Sequence, residues 1–517
     1  MTSVRALSLL ALGICLFRVT GMAGGLDVAA PIGPYLDGAL PSRTPTATSG
    51  DWQLVRAFPN QTFVDPIELL PVPRSNLLMV AEKWGALMIF PEEPLVSDRN
   101  VILDLSAQTQ AQGDSGLLGV AFHPEFGLEG SPNRDYLYVY YRYTPNPTEL
   151  DRAYCRLSRF TWRSGPGAID PASEFVLINQ YDRHNWHNGG GIFFGQDGFL
   201  YLSIGDEGNT NDAFATAQKR DGGLFSGVLR IDVDQNPSRS HPIRRQPVNA
   251  SPPPQGWPGS YTQGYFIPDD NPWLSPSGAA LEEYWSIGIR SPYRMTLDRP
   301  TGRIWIGEVG QSLEEEINLI ERGGNYQWPF FEGTAVGPRP RPATLLGIET
   351  PPLHRYGRGE GGCIIGGPVY RGSEHPSLVG KYLFGDFNNG RIRTLDFTPG
   401  QTPVVEEIAK LGAQQLTSFG TDSQGEVYVL TIGQTNLNGG LVYKLALSGE
   451  AHPQPPATLS ATGAFSDLAT LTPRAGLMPY DLVQALWSDG ADKKRWLAIP
   501  NDGTPDSAAE QIGFSEN

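Results

Sequence analysis

The chain has 517 residues and carries 39 Lys+Arg against 55 Asp+Glu, a formal net charge of −16. That balance excludes nucleic-acid binding by phosphate neutralisation, which needs basic patches. Only 18% of residues are charged, while 61 are Gly and 45 are Pro, a turn-rich composition that favours many short strands over long helices.

In chain order, the first segment reads as an export signal over residues 1–23. Arg5 supplies the positive end, Ala6–Phe17 the apolar stretch and Gly21-Met22-Ala23 a small-x-small cleavage site. The apolar run is too short for a stable membrane span, so a periplasmic or secreted protein is expected. Cys15 would leave with the signal. Cys155 and Cys363 would remain, and they can bridge only if the fold brings them together.

Alternating apolar runs then recur at Leu77–Phe90, Tyr136–Tyr143, Gly191–Ile204, Met295–Gly307, Val369–Leu395 and Val427–Leu430. Several follow a polar-Gly turn, as in Gln196-Asp-Gly-Phe-Leu-Tyr-Leu, Thr301-Gly-Arg-Ile-Trp-Ile and Ser423-Gln-Gly-Glu-Val-Tyr-Val. A turn feeding an alternating strand at blade-length intervals predicts an all-β fold, a six-bladed β-propeller over 50–448. One closed ring of that kind uses ~400 residues, so length does not demand several domains. Gly440–Leu447 is expected to pair with Gln53–Phe58 and close the ring. The Pro- and Ser-rich stretch Pro237–Pro272 reads as a long functional loop on the His187 face. A linker at 449–460 leads to an incomplete C-terminal segment at 461–517.

The chemistry-bearing residues lie between these runs. Glu314, Glu315 and Glu316 offer hard oxygen ligands suited to Ca2+. Gly323 and Gly324 follow in a permissive turn, and Tyr326 and Trp328 are expected to give a flat rim. His187, flanked by Gly189–Gly191, is a general-base candidate, with His184 less favoured. Asp206 follows the strand Leu202-Ser-Ile-Gly and reads equally as a turn cap.

With this order and spacing, His187-Asn-Gly-Gly, Ile204-Gly-Asp-Glu-Gly, Gly288-Ile-Arg-Ser-Pro and Glu314–Pro329 resemble the soluble PQQ-dependent sugar dehydrogenase (glucose/sorbosone dehydrogenase-like) family, from about Gln53 to about Leu447. The resemblance implies a quinoprotein oxidoreductase that oxidises the anomeric hydroxyl of an aldose to a lactone with PQQ and Ca2+. It makes His187 the catalytic base, Asp206 its orienting carboxylate and Arg290 the cation that polarises the quinone. It places the cofactor-bridging calcium on the carbonyls of Gly310 and Gln311, and a second calcium at Glu315 and Glu316. Electrons would pass to an unidentified acceptor, with a cytochrome c as one option.

Several positions depart from the family pattern. Asn388, Gln415 and Thr417 stand where similar enzymes carry a lysine and two arginines facing the quinone carboxylates. Each lost charge-assisted contact costs roughly 1.5–3 kcal/mol. Asp114 replaces a glutamine near the base, and Ser291 an asparagine beside the arginine. Arg391 is expected to enter the pocket as a substitute, with Arg358, Arg371 and Arg393 as alternatives. The Gly385-Asp-Phe-Asn-Asn-Gly-Arg pattern also resembles hedgehog-interacting proteins. A non-catalytic carbohydrate- or protein-binding propeller, or a Ca2+-dependent lactonase-type hydrolase, therefore stands as the alternative.

Overall fold

In the computed structural model the alternating runs become strands and the intervening glycines become their turns. The structure describes residues 52–149, 151–162, 169–433 and 439–447, with short pieces at 465–473, 477–479 and 496–498. Gly198, Gly302 and Gly425 sit at φ of 78°, 71° and 81°, a left-handed region that costs other residues roughly 1–2 kcal/mol. Each closes a hairpin: Ile192–Phe194 with Leu200–Ile204, Arg294–Asp298 with Arg303–Glu308, and Gln414–Thr421 with Val427–Gly433.

Among the described residues, six sheets contain four or more strands. Their first strands are Pro66–Pro71, Leu117–Phe122, Ile192–Phe194, Arg294–Asp298, Ile364–Val369 and Gln414–Thr421. Each touches the next in this order, and the last returns to the first. The fold is thus an all-β propeller. Its closing sheet takes an outer strand from the N-terminal side, with Trp52 opposite Leu447 and Arg56 opposite Tyr443. This is the expected pairing, and it removes an exposed edge.

Apolar residues of adjoining sheets interdigitate to form the core. Tyr138 and Leu157 meet Leu200 and Leu229 in one such layer, and Leu383 meets Phe419 and Val429 in another. At the inner strands the buried Arg294 binds several sheets together. Its guanidinium donates to Ile67 O at 2.6 Å, Leu118 O at 2.9 Å and Ser418 Oγ at 2.9 Å.

The propeller occupies the unit Thr48–Ser448, and Met1–Ala47 with Gly449–Asn517 forms another. In the latter, Phe465–Asp467 pairs with Thr472–Pro473 and Leu477–Pro479 with Trp496–Ala498. The expected signal at 1–23 and linker at 449–460 lie outside the described residues. Among the described residues no helix is long and apolar enough to cross a membrane.

Several local features depart from expectation. The segment Pro237–Pro272 forms a small hairpin, Ser240–Pro242 with Phe266–Pro268, and adds Tyr261–Thr262 to Phe175–Asp182. None of its residues lines the central cavity. Glu314–Ile320 is a strand, with Glu315 and Glu316 buried. Tyr326 and Trp328 are likewise buried and form no rim. Cys155 and Cys363 are free thiols, and Cys155 Sγ lies 3.2 Å from Asp182 Oδ2.

Candidate active site

His187 lies on the connection between Phe175–Asp182 and Ile192–Phe194, at φ 61°. Non-glycine residues rarely adopt that angle, so neighbours must hold it. Asp114 does so by accepting the His187 backbone N–H at 2.6 Å and Asn188 Nδ2 at 2.8 Å. Asn188 Oδ1 in turn accepts from Arg142 at 2.9 Å, and Arg142 pairs with Asp182 at 2.5 Å. The chain passes so tightly here that a Cβ on Gly189 would lie 2.2 Å from Ser203 O, and one on Gly205 2.1 Å from His187 O. The glycines beside the histidine therefore serve close backbone packing.

Asp206 follows its strand, Leu200–Ile204, as the sequence suggests, and its side chain is buried. Its Oδ1 lies 2.6 Å from His187 Nδ1 and also accepts from Gly208 N at 3.1 Å. Its Oδ2 accepts Trp328 Nε1 at 2.7 Å. The carboxylate is fully buried and the imidazole nearly so. With Nδ1–H directed to Asp206, Nε2 is the basic nitrogen on the cavity side.

Arg290 is the third member. Its backbone N–H donates to Glu308 Oε1 at 2.6 Å, and Nη1 donates to the carbonyls of Val309 and Gly310 at 2.9 Å each. The guanidinium carbon sits 5.4 Å from the Trp328 ring centroid. Burial lowers its pKa, against the fields of Asp206 and Glu332. Nε is buried without a partner among the described residues.

His187 and Arg290 open on one cavity of about 480 Å³. Of the other expected residues, Ser291, Gly310, Asn388 and Thr417 line it. Gln415 does not. Arg391 is not on its wall: Nε lies 3.3 Å from Glu407, and the residue lines an adjoining pocket with Arg358 and Asn388. The other substitutes are engaged elsewhere, Arg371 with Asp298 at 2.7 Å, Arg393 with Glu360 at 3.8 Å, and Arg358 with Glu315 and Glu332. The expected arginine substitution is thus corrected: the cation that enters is Lys83. Sequence reasoning missed Lys83, Trp186, Tyr293, Cys363 and Phe387. Lys83 alone carried a signal, a lysine at the end of an apolar strand before a Trp-Gly turn.

Several of the expected calcium donors have protein partners. Gly310 O faces Arg290, and the Gln311 side chain donates to Asn211 Oδ1 at 2.8 Å. Glu315 accepts from Ile364 N at 2.9 Å and pairs with Arg358. Glu316 accepts from Gly333 N and from Asn318 Nδ2 at 3.1 Å. Among the described residues no three metal-ligating side chains cluster. Instead Glu316 stands opposite Glu308 in register, and both reach Asn318 Nδ2. Burial pushes Glu308 well up, with repulsion from Glu316 second, and burial pushes Glu316 up to about 7.

A propeller whose inner cavity joins a buried His–Asp pair to an arginine belongs to the class that does chemistry or recognition at its axis. Comparison with known proteins narrows that class. The chain belongs to the Glucose / Sorbosone dehydrogenase family, whose model matches residues 63–252 and 262–441. It is 28% identical to the Hedgehog-interacting protein of Mus musculus over 388 residues, 72% of this chain and 49% of that protein. It is 26% identical to the quinoprotein glucose dehydrogenase B of Acinetobacter calcoaceticus over 286 residues, 52% of this chain and 51% of the relative. The chain spans about half the length of the curated relatives it matches. The solved PQQ-bound aldose sugar dehydrogenase of Streptomyces coelicolor has the same fold, at TM-score 0.52 and 16% identity, covering 77% of this chain and 100% of that one.

Proposed function

We propose that the chain is a quinoprotein oxidoreductase that oxidises the anomeric hydroxyl of an aldose to a lactone. The observation that carries this is the His187–Asp206 pair at 2.6 Å, opening on the cavity that Arg290 also lines. His187 Nε2 accepts the hydroxyl proton, and Asp206 stabilises the imidazolium so formed. Trp328 holds Asp206, and Arg290 offers a guanidinium to negative charge developing in the cavity. Pyrroloquinoline quinone, when bound, supplies the hydride acceptor.

The donor set fits an anionic, oxygen-rich cofactor. Arg290 Nε is buried and unpartnered, and Lys83 adds a second cation to the wall. The residues expected to bind calcium are engaged with protein partners, and no step is assigned to that ion. The six sheets are read as six blades, and residues 1–23 as a signal that exports the protein.

The test is dye-linked oxidation of a sugar panel by the protein loaded with the quinone, with and without Ca2+. Quinone-dependent oxidation is expected, and His187→Asn should lower it about 10²–10⁴-fold. Bound quinone without oxidation of any aldose would favour a non-catalytic binding propeller. That alternative draws support from the similarity to the Hedgehog-interacting protein and from the uncharged Asn388, Gln415 and Thr417.

A further inference from the structure

The cavity holds a cation that the proton-transfer chemistry does not use. Lys83 follows strand Leu77–Glu82, in a turn closed by Gly85 at φ 112°. Its placement is built into the fold. The Lys83 backbone N–H donates to Asp65 O at 3.0 Å, and its carbonyl accepts from Leu117 N at 2.7 Å. Gly116 passes so close that a Cβ there would lie 2.6 Å from Lys83 Cγ. The stem is thereby held, and the residue lines the cavity.

Nζ donates to Gly113 O at 2.7 Å. Among the described residues it makes no ion pair. Neither of the two carboxylates nearest in the wall lies within ion-pair distance of it: Asp65 Oδ2 accepts from Trp84 Nε1 at 2.9 Å while its Oδ1 has no partner among the described residues, and Asp114 holds His187 and Asn188. Burial depresses the ammonium's pKa, and the fields of Asp65 and Asp114 only partly oppose this. Lys83 is only partly buried, yet a partly desolvated charge without a counter-ion still costs a fold stability. Its retention on the wall of a ligand-sized cavity points to an anion that arrives from outside.

We propose that Lys83 is the carboxylate-binding cation of the central cavity, standing in for the cations absent at Asn388, Gln415 and Thr417. The chemistry recognised is a carboxylate. If the oxidoreductase assignment above holds, on which the ligand's identity rests, the carboxylate is one of the quinone's own. An acidic aldose is the other source of the same group.

The experiment titrates the full chain by calorimetry, as wild type, Lys83→Met and Lys83→Arg. The probes are pyrroloquinoline quinone, glucuronate and, as a neutral control, glucose. Lys83→Met should weaken quinone binding about 10–100-fold, Lys83→Arg should keep most of it, and glucose should be unaffected. A loss confined to glucuronate would assign the same cation to an acidic sugar. Equal quinone and glucuronate binding by wild type and Lys83→Met would overturn the proposal, as would no carboxylate binding by wild type. Thermal melting guards against misfolding. Lys83→Met should melt at or above wild type, since it removes an unpaired, partly buried charge, and a large fall would overturn the proposal in favour of a structural bond to Gly113. Sugar oxidation is scored separately. Lys83-dependent quinone binding without oxidation would retire the oxidoreductase assignment alone, and oxidation with Lys83-independent binding would retire this one alone.

Discussion

Trp328 Nε1 donates to Asp206 Oδ2 at 2.7 Å, on the opposite side of the carboxylate from the oxygen that holds His187. One buried aspartate is therefore fixed by an indole on one oxygen and an imidazole on the other. The indole comes from the segment after strand Glu314–Ile320, distant in sequence from the histidine. Its ring also lies near the Arg290 guanidinium, so one side chain positions two members of the site.

Substitutions along this relay should act in graded fashion. Asp206→Asn keeps the shape but removes the charge that stabilises the imidazolium, so quinone-dependent sugar oxidation should fall about 10²–10⁴-fold. Trp328→Phe leaves the charge and removes one donor, and a loss of about 10-fold is expected. Steady-state rates with unchanged circular dichroism are the check. An Asp206→Asn protein of wild-type activity would separate the pair from the chemistry.

Asp114 has a different task. It compensates two buried donors, the His187 N–H and Asn188 Nδ2, and keeps His187 at φ 61°. Asp114→Ala strands the His187 N–H, at roughly 1–3 kcal/mol, while Asn188 Nδ2 keeps Ser115 Oγ and Asn185 O. Urea denaturation should show a lower midpoint with an unchanged slope. Asp114→Asn should recover part of the loss, because its carbonyl oxygen can still accept one of the two bonds.

The Glu308–Glu316 pair predicts a pH dependence of stability. Glu316 has a folded pKa of about 7 against an ordinary 4.5, chiefly through burial. The folded state therefore binds more protons than the unfolded chain between these values, so this contribution to stability falls as pH rises across that window. Melting temperatures across it should decline in wild type. In Glu316→Gln, which cannot ionise, the decline should be shallower. An identical slope in both proteins would remove Glu316 as its source.

The sequence made the strands legible because Gly turns and alternating apolar residues are local signals. His187, Asp206 and Arg290 were legible through motif order, since each sits beside a turn whose glycines have one tight geometric solution. The glutamate run misled. Three adjacent carboxylates look like an exposed metal loop, yet alternation along a strand buries Glu315 and Glu316 in different surroundings, against Ile364 and Asn318. Trp328 reads as a surface aromatic because its partner, Asp206, lies far away in sequence. Arg391 was expected in the pocket because of its neighbours. Asn388 and Phe387 of the same segment do line the cavity, but strand geometry carries Arg391 to Glu407. Lys83 was overlooked because its value depends on a cavity wall that several sheets build together.

Arg294 gives the last prediction. It sits on the first strand of its own sheet and reaches the first strands of three others, through Ile67 O, Leu118 O and Ser418 Oγ. Tyr293 OH accepts a further bond at 2.9 Å. Closing a ring of sheets leaves inner-strand carbonyls without ladder partners, and buried carbonyls must find donors. A single guanidinium has enough donors, in a planar fork, to serve several at once. Arg294→Met fills the space but strands these acceptors, so a loss of roughly 3–5 kcal/mol is expected. Arg294→Lys restores the charge with fewer donors and a different direction, and should recover less than half. Chemical denaturation of the three proteins decides the matter. Equal midpoints for wild type and Arg294→Met would mean that the ring closes on side-chain packing alone.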